Sequence, residues 1–155
     1  METNEKLVGV LNDLIQINND RVVGYEKAAD EATNIDVDLK AIFNSMADKS
    51  RKYAAELTSQ VLTFGGDPDK GTTGSGKIYR AWMDVKAVFT GKDRHAILAS
   101  CERGEDAAQR AYQEALASDA PMSTDIRQLI ADQKDSLKKD HDKIKSYRDM
   151  QGAVS

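Results

Sequence analysis

Polar residues set inside apolar helical stripes constrain the fold of this chain most strongly. Four long segments carry apolar residues at steps of three and four, the spacing that gathers side chains on one face of a helix. Near the middle of each stripe lies one polar residue: Asn18, Ser50, Glu105 and Gln133. Because a buried polar group is costly without a partner, we expect these side chains to pair, to be hydrated or to bind a metal where four helices meet.

The apolar stripes also predict where the helices begin and end. Gly65 and Gly66 follow the second stripe, as glycine commonly does just past a helix, and Pro121 separates the third stripe from the fourth. The expected long helices span about residues 4–32, 38–64, 94–118 and 124–150.

The connection between the second and third long helices decides the topology. It spans 27 residues, from Gly66 to Lys92, enough to travel the roughly 38 Å of a 25-residue helix. Its Gly71–Gly76 stretch reads as flexible, and a shorter amphipathic helix is expected over 77–89. Helices two and three can therefore run parallel, which predicts an all-α, ferritin-like four-helix bundle with a helix-containing crossover. A simple up-down-up-down bundle with a long loop fits less well.

Composition narrows the possible partners and location. A chain of 155 residues is expected to form a single domain over 1–155. A net charge of −4 argues against binding nucleic acid, and the mixed charges of the last helix argue against a membrane surface. The single Cys101 excludes an internal disulfide. With no leader sequence and no long apolar run, we expect a cytoplasmic protein.

Several motifs resemble those of a bacterial family of unknown function that is placed among the ferritin-like four-helix-bundle proteins. The resemblance covers nearly the whole chain and implies the ferritin-like fold, but it implies no activity. The motifs are Leu11–Asn18 with Asp20, Gly24–Ala28, Ala81–Asp84 with Lys86, Cys101–Ala108 with Tyr112, and His141–Lys145 with Arg148 and Asp149.

A di-metal carboxylate centre is the sharpest chemical hypothesis. Such a centre takes a Glu from each of two helices and a Glu-x-x-His from each of the other two. Glu26, Glu105 and His141 are the candidate ligands for iron or manganese. However, the sequence contains no Glu-x-x-His, and Asp48 and Glu56 lie opposite the apolar stripe of the second helix. The expected di-metal site is therefore degenerate or absent, and a single weak metal site that uses Glu26, Glu105 or His141 stays open.

The alternative is a buried layer of polar side chains that satisfy one another without metal. In this hypothesis Glu105 accepts hydrogen bonds from neighbouring inward-facing groups. The other expected members of the layer are Asn18, Ser50, Tyr53, Gln133 and Asp140.

The segment Gly71–Lys77 resembles a phosphate-binding loop as far as its lysine. The next residue, Ile78, has no hydroxyl to hold Mg²⁺, and a helix rather than a strand precedes the segment. Nucleotide binding is therefore not expected.

These observations favour a non-enzymatic bacterial bundle protein without a cofactor, which the family resemblance associates with stress. Two alternatives stay open. One is an iron- or manganese-binding ferritin-like protein. The other is a helical interaction or scaffold module that acts as a homo-oligomer, with a dimer favoured, because the first helix has a broad apolar arc.

Overall fold

The computed structural model describes residues 2–32, 37–71 and 94–154. Within these ranges the chain forms helices and no strand, which confirms the predicted all-α class. The helix bounds lie within four residues of those predicted from the stripes. The predicted helix over 77–89, and all of the Gly71–Gly76 stretch but its first residue, lie outside the described ranges. The helices are α1 (Glu2–Ala32), α2 (Val37–Thr63), α3 (Arg94–Ala117) and α4 (Thr124–Val154).

Local sequence signals set two of the helix ends. Gly65 has a φ of 76°, a left-handed conformation that glycine adopts without steric cost. Its N–H donates to Leu62 O at 3.0 Å, and the Gly66 N–H donates to Val61 O at 3.0 Å, which together form a Schellman ending for α2. At the start of α4, the Ser123 hydroxyl caps the helix by accepting from the Ile126 N–H.

The contacts between helices give their directions. The end of α2 lies beside the start of α1, because a Cβ added to Gly66 would meet Val8, so α1 and α2 are antiparallel. Asn18 of α1 contacts Tyr112 of α3, whereas Tyr25, further along α1, contacts the earlier Glu105. Helix α3 is therefore also antiparallel to α1, and it runs parallel to α2, as the long connection predicts.

Polar side chains of α1 guide the chain after α2 back along the bundle. Amide groups on one face of α1 bond successive positions of the segment 66–71, so this segment advances in the direction of α1. The bonds are Asn12 to Asp67 O (3.1 Å), the Asp69 N–H to Asn12 (2.9 Å), Gln16 to the Asp69 carboxylate (2.7 Å) and Asn19 to Gly71 O (2.9 Å).

The core consists of two apolar clusters separated along the bundle. One cluster includes Tyr25, Phe43 and Cys101, and the other includes Leu11 and Leu57. Between them every helix contributes buried polar side chains, which we call the interior polar layer. Its members are Asn18, Arg21, Ser50, Glu105, Gln133 and Asp140, and Asp20 of α1 is a further buried polar residue.

Candidate functional site

Arg21 is the centre of the interior polar layer, and the sequence interpretation did not include it. Its side chain is fully buried. The guanidinium donates to Glu105 Oε1 from Nε at 3.1 Å and from Nη2 at 2.5 Å, and Nη1 donates to the Ser50 hydroxyl. It also lies over the Tyr25 ring, 5.3 Å from the centroid. One side chain of α1 therefore links α2 and α3.

Helical spacing could have located Arg21. Seven of the buried residues of α1 follow alternating steps of four and three: Leu7, Leu11, Leu14, Asn18, Arg21, Tyr25 and Ala28. The residue after Arg21 is Val22, and a valine is a more usual core residue than an arginine. In the structure Val22 is half-buried, and Arg21 takes the central position.

Glu105 is fully buried and takes different partners from those expected. Its Oε1 accepts from Arg21 and from the Tyr25 hydroxyl at 2.5 Å. The expected donors Asn18, Ser50, Tyr53 and Gln133 do not bond it; they bond one another, other side chains or the backbone. Burial raises the pKa of the Glu105 carboxyl, although Arg21 and Tyr25 act in the opposite direction.

Asp140 brings a second carboxylate to the same guanidinium. Its Oδ2 lies 3.6 Å from Arg21 Nη2, and its Oδ1 accepts from Lys49 at 2.8 Å. Within the described part of the chain, Asp140 Oδ2 and Glu105 Oε2 are buried acceptors without a hydrogen-bond partner. Arg21 is thus shared between two interior carboxylates, and Lys49 neutralises one of them from the edge of the bundle.

A directed chain of hydrogen bonds leads from Arg21 through the layer and joins all four helices. Each member accepts from the one before and donates to the next. After Arg21 donates to Ser50, the bonds are Ser50 to Asn18 Oδ1 (3.1 Å), Asn18 to the Tyr112 hydroxyl (2.8 Å), Tyr112 to Gln133 Oε1 (2.7 Å), and Gln133 to Glu56 and to Tyr53 O (3.4 Å each).

Two residues of α2 differ from their expected roles. Glu56 was expected opposite the apolar stripe, but it is half-buried and accepts the last bond of the chain from Gln133. Tyr53 is buried as expected, but its hydroxyl pairs with Ser136 of α4 rather than with Glu105. Both residues therefore contact α4 from α2.

The structure does not bring the three expected metal ligands together. Glu26 is half-exposed and forms an ion pair with Arg51 on the outer side of α1 and α2. Glu105 lies in the interior polar layer. His141 lies between α3 and α4, where its Nε2 is 2.6 Å from Asp106 Oδ1 and 3.8 Å from Glu102 Oε1.

Other titratable groups in the interior are held in their neutral forms. Burial, and then the charge of Glu105, raises the pKa of the Cys101 thiol well above its ordinary value. Burial also raises the pKa of Tyr25 and of Tyr112. A thiol or phenol kept neutral is a poor nucleophile or base. The pKa of Arg21 is lowered by burial but raised more strongly by Glu105, Tyr25 and Asp140 together, so Arg21 remains a cation.

Sequence comparison places the chain in one family. The family described as Domain of unknown function (DUF2383) matches residues 6–118. This match extends from the start of α1 to the end of α3 and so contains Arg21 and Glu105. No curated protein matches the chain with significant similarity. None of the described helices has an apolar stretch long enough to cross a lipid bilayer.

Proposed function

The chain belongs to this family of unknown function, DUF2383, and we propose that it is a non-enzymatic ferritin-like bundle protein whose interior carboxylates are balanced by an arginine instead of a di-metal centre. The ferritin-like assignment is supported by the parallel direction of α2 and α3, which a single long crossover requires. A bacterial origin is part of the proposal, and it rests on the motif resemblance.

The position of Arg21 carries this proposal. In ferritin-like di-metal proteins, inward carboxylates from the helices are neutralised by metal ions at mid-bundle. Here Arg21 Nη2 lies 2.5 Å from Glu105 Oε1 and 3.6 Å from Asp140 Oδ2 at mid-bundle. A divalent ion bound to the same carboxylates would have to displace this guanidinium or sit beside it against charge repulsion. The arrangement therefore favours an interior that needs no metal.

The surrounding groups support a non-catalytic role. Tyr25 and Cys101 next to Glu105 are fully buried and neutral. Acid–base or nucleophilic chemistry requires a group whose pKa is matched to proton transfer and that a substrate can reach. The interior polar layer supports instead a role in fixing helix register, which is a known use of buried polar groups.

Metal loading of the His141→Ala variant tests the proposal. This change removes the histidine that lies beside carboxylates between α3 and α4, so any metal that still binds reports on the interior, which the change leaves intact. The variant would be loaded anaerobically with Fe(II) or Mn(II), desalted and analysed for bound metal. We expect less than about one tenth of an equivalent, far below a structural site of ordinary affinity, and no acceleration of Fe(II) oxidation in air. One or two bound equivalents with rapid oxidation would favour the alternative of an iron- or manganese-binding protein.

The scaffold alternative has less support from the structure. Among the described residues only Val23 and Leu62 are large hydrophobic side chains with high exposure, and single exposed apolar residues are ordinary on monomeric proteins. Homodimer formation therefore remains a prediction, which light scattering at several protein concentrations would test. The cytoplasmic location and the association with stress also remain predictions.

A further inference from the structure

A second group of titratable side chains lies between α3 and α4, outside the interior polar layer. It consists of Glu102, Asp106 and His141, each of which offers one ligand atom, and these atoms all lie within 4.8 Å of one another. Within the part of the chain that the structure describes, it is the one group of three or more acidic, histidine or cysteine side chains this close. Neither Glu26 nor Glu105 belongs to it.

Helix geometry explains why the two carboxylates face the same point. Glu102 and Asp106 are four residues apart on α3, which places their side chains on one face one turn apart. Two like charges at this spacing destabilise a helix. The antiparallel α4 places His141 Nε2 opposite both, 2.6 Å from Asp106 Oδ1 and 3.8 Å from Glu102 Oε1. The two carboxylates of Glu102 and Asp106 therefore face the Nε2 atom of His141.

Asp142 orients the imidazole from its other side. Asp142 Oδ1 lies 3.0 Å from His141 Nδ1, so a proton on Nδ1 is held there and the lone pair of Nε2 is directed at the carboxylates. A histidine that ligates a metal usually donates its other ring N–H to a carboxylate in this way, which fixes the tautomer and raises ligand basicity. The contact with Asp142 is independent of the three ligand atoms themselves.

We infer that Glu102, Asp106 and His141 bind one divalent transition-metal ion, such as Zn²⁺, on the lateral face between α3 and α4. Imidazole together with carboxylate suits Zn²⁺, Fe²⁺ and related ions better than Mg²⁺ or Ca²⁺, which prefer oxygen ligands. Two carboxylates and a neutral imidazole balance the charge of a divalent ion. One protein nitrogen and two oxygens leave coordination positions for water.

The observed distances suit such an ion with little movement. Zinc bonds of about 2.0–2.2 Å place two tetrahedral ligand atoms about 3.4 Å apart, and the two distances from His141 Nε2, 2.6 and 3.8 Å, lie on either side of this value. The side chain of Asp106 is 47% exposed, whereas those of His141 and Glu102 are 17% and 12% exposed. The ion can thus enter from solvent past Asp106, and once bound it cross-links α3 to α4.

A metal-free alternative for the same contacts is an ion pair between protonated His141 and Asp106. This alternative predicts that added metal neither binds to the cluster nor raises the thermal midpoint of the protein. The site is also distinct from the interior polar layer, so its failure would leave the proposed function untouched. Rapid Fe(II) oxidation by His141→Ala would count against the proposed function, whereas Zn²⁺ binding that does not depend on His141 or Asp106 would count against the lateral site.

Zinc titration of the untagged, chelator-treated protein by calorimetry tests the inference, with Co²⁺ absorption as a second readout. We expect about one equivalent of Zn²⁺ and a rise in the thermal midpoint, since binding to the folded state stabilises it. We expect Asp142→Asn to weaken binding about 10- to 100-fold, and His141→Ala and Asp106→Asn to weaken it more. The half-exposed Asp106 tolerates asparagine more readily than a core residue would, so this variant serves if His141→Ala is unstable.

Glu114→Gln is the matched control, because Glu114 is an exposed carboxylate of α3 outside the cluster. It should bind Zn²⁺ like the original chain. Absence of both the heat and the Co²⁺ spectrum in the original chain would overturn the inference. Binding that is unchanged in both His141→Ala and Asp106→Asn would also overturn it.

Discussion

Arg21 Nη2 of α1 lies 2.5 Å from Glu105 Oε1 of α3, and both side chains are fully buried. Attraction between two such charges offsets their desolvation only when the geometry is good and further hydrogen bonds are made. Ser50 and Tyr25 provide those bonds, one to each partner. The stability of the bundle middle therefore depends on the presence of both charges together.

Removing only the acidic partner should be costly. Glu105→Gln leaves Arg21 as a buried cation with Asp140 as its remaining anionic neighbour, 3.6 Å away. Loss of one partner of a buried pair typically costs about 3–5 kcal/mol, so we expect the free energy of unfolding to fall by about this amount. Urea denaturation measures the change. Glu114→Gln, which removes an exposed carboxylate from the same helix, should change stability by less than about 0.5 kcal/mol.

The Tyr112 hydroxyl is the central link of the hydrogen-bond chain. It accepts from Asn18 at 2.8 Å and donates to Gln133 Oε1 at 2.7 Å. Tyr112→Phe leaves Gln133 Oε1 without this donor, and an unsatisfied buried polar group costs about 1–3 kcal/mol. We expect a loss of that size in thermal or urea unfolding. Tyr147→Phe is the matched control, since Tyr147 is half-buried on α4 outside the chain of bonds; an equal loss there would contradict the role of Tyr112.

Much of this layer follows from sequence periodicity. Asn18, Ser50, Glu105 and Gln133 occupy stripe positions, and the structure places all four in the interior. Periodicity assigns a residue to a face but not to a partner, because partners depend on the rotation and register of neighbouring helices.

Sequence periodicity alone does not predict the interior position of Arg21 or the cluster of Glu102, Asp106 and His141. Helical spacing allows an interior position for Arg21, but a long cationic side chain is usually solvated, so the residue type argues against that position. Glu102 and Asp106 have the spacing of a shared helix face, but only the packing of α4 on α3 brings His141 to them. Contacts of this kind between distant segments require the tertiary structure.

Asp13 gives the folded state a pH dependence of predictable sign. Partial burial, and then the nearby charge of Asp69, raises the pKa of Asp13 above its ordinary 3.8. The folded state thus binds this proton more tightly than the unfolded chain, so the stabilisation is present below about pH 3.8 and is lost as pH rises through the folded pKa.

Replacing Asp13 by asparagine removes the cost of ionising it. At pH 7 we expect Asp13→Asn to raise the free energy of unfolding by less than about 0.5 kcal/mol, since the side chain is mostly solvated. Near pH 3 the variant and the original chain should be equally stable. Thermal unfolding at both pH values measures this difference, and a variant that is less stable at pH 7 would contradict the assigned direction.

A double-mutant cycle on Arg21 and Glu105 tests the central claim most directly, because it measures whether the two buried charges balance each other. The variants are Arg21→Met, Glu105→Leu and the pair together, compared by urea unfolding. We expect each single change to cost about 3–5 kcal/mol and the double variant to cost less than their sum by about 1–3 kcal/mol, the range of contacting residues. Costs that add to within about 0.5 kcal/mol would show independent sites and contradict the account.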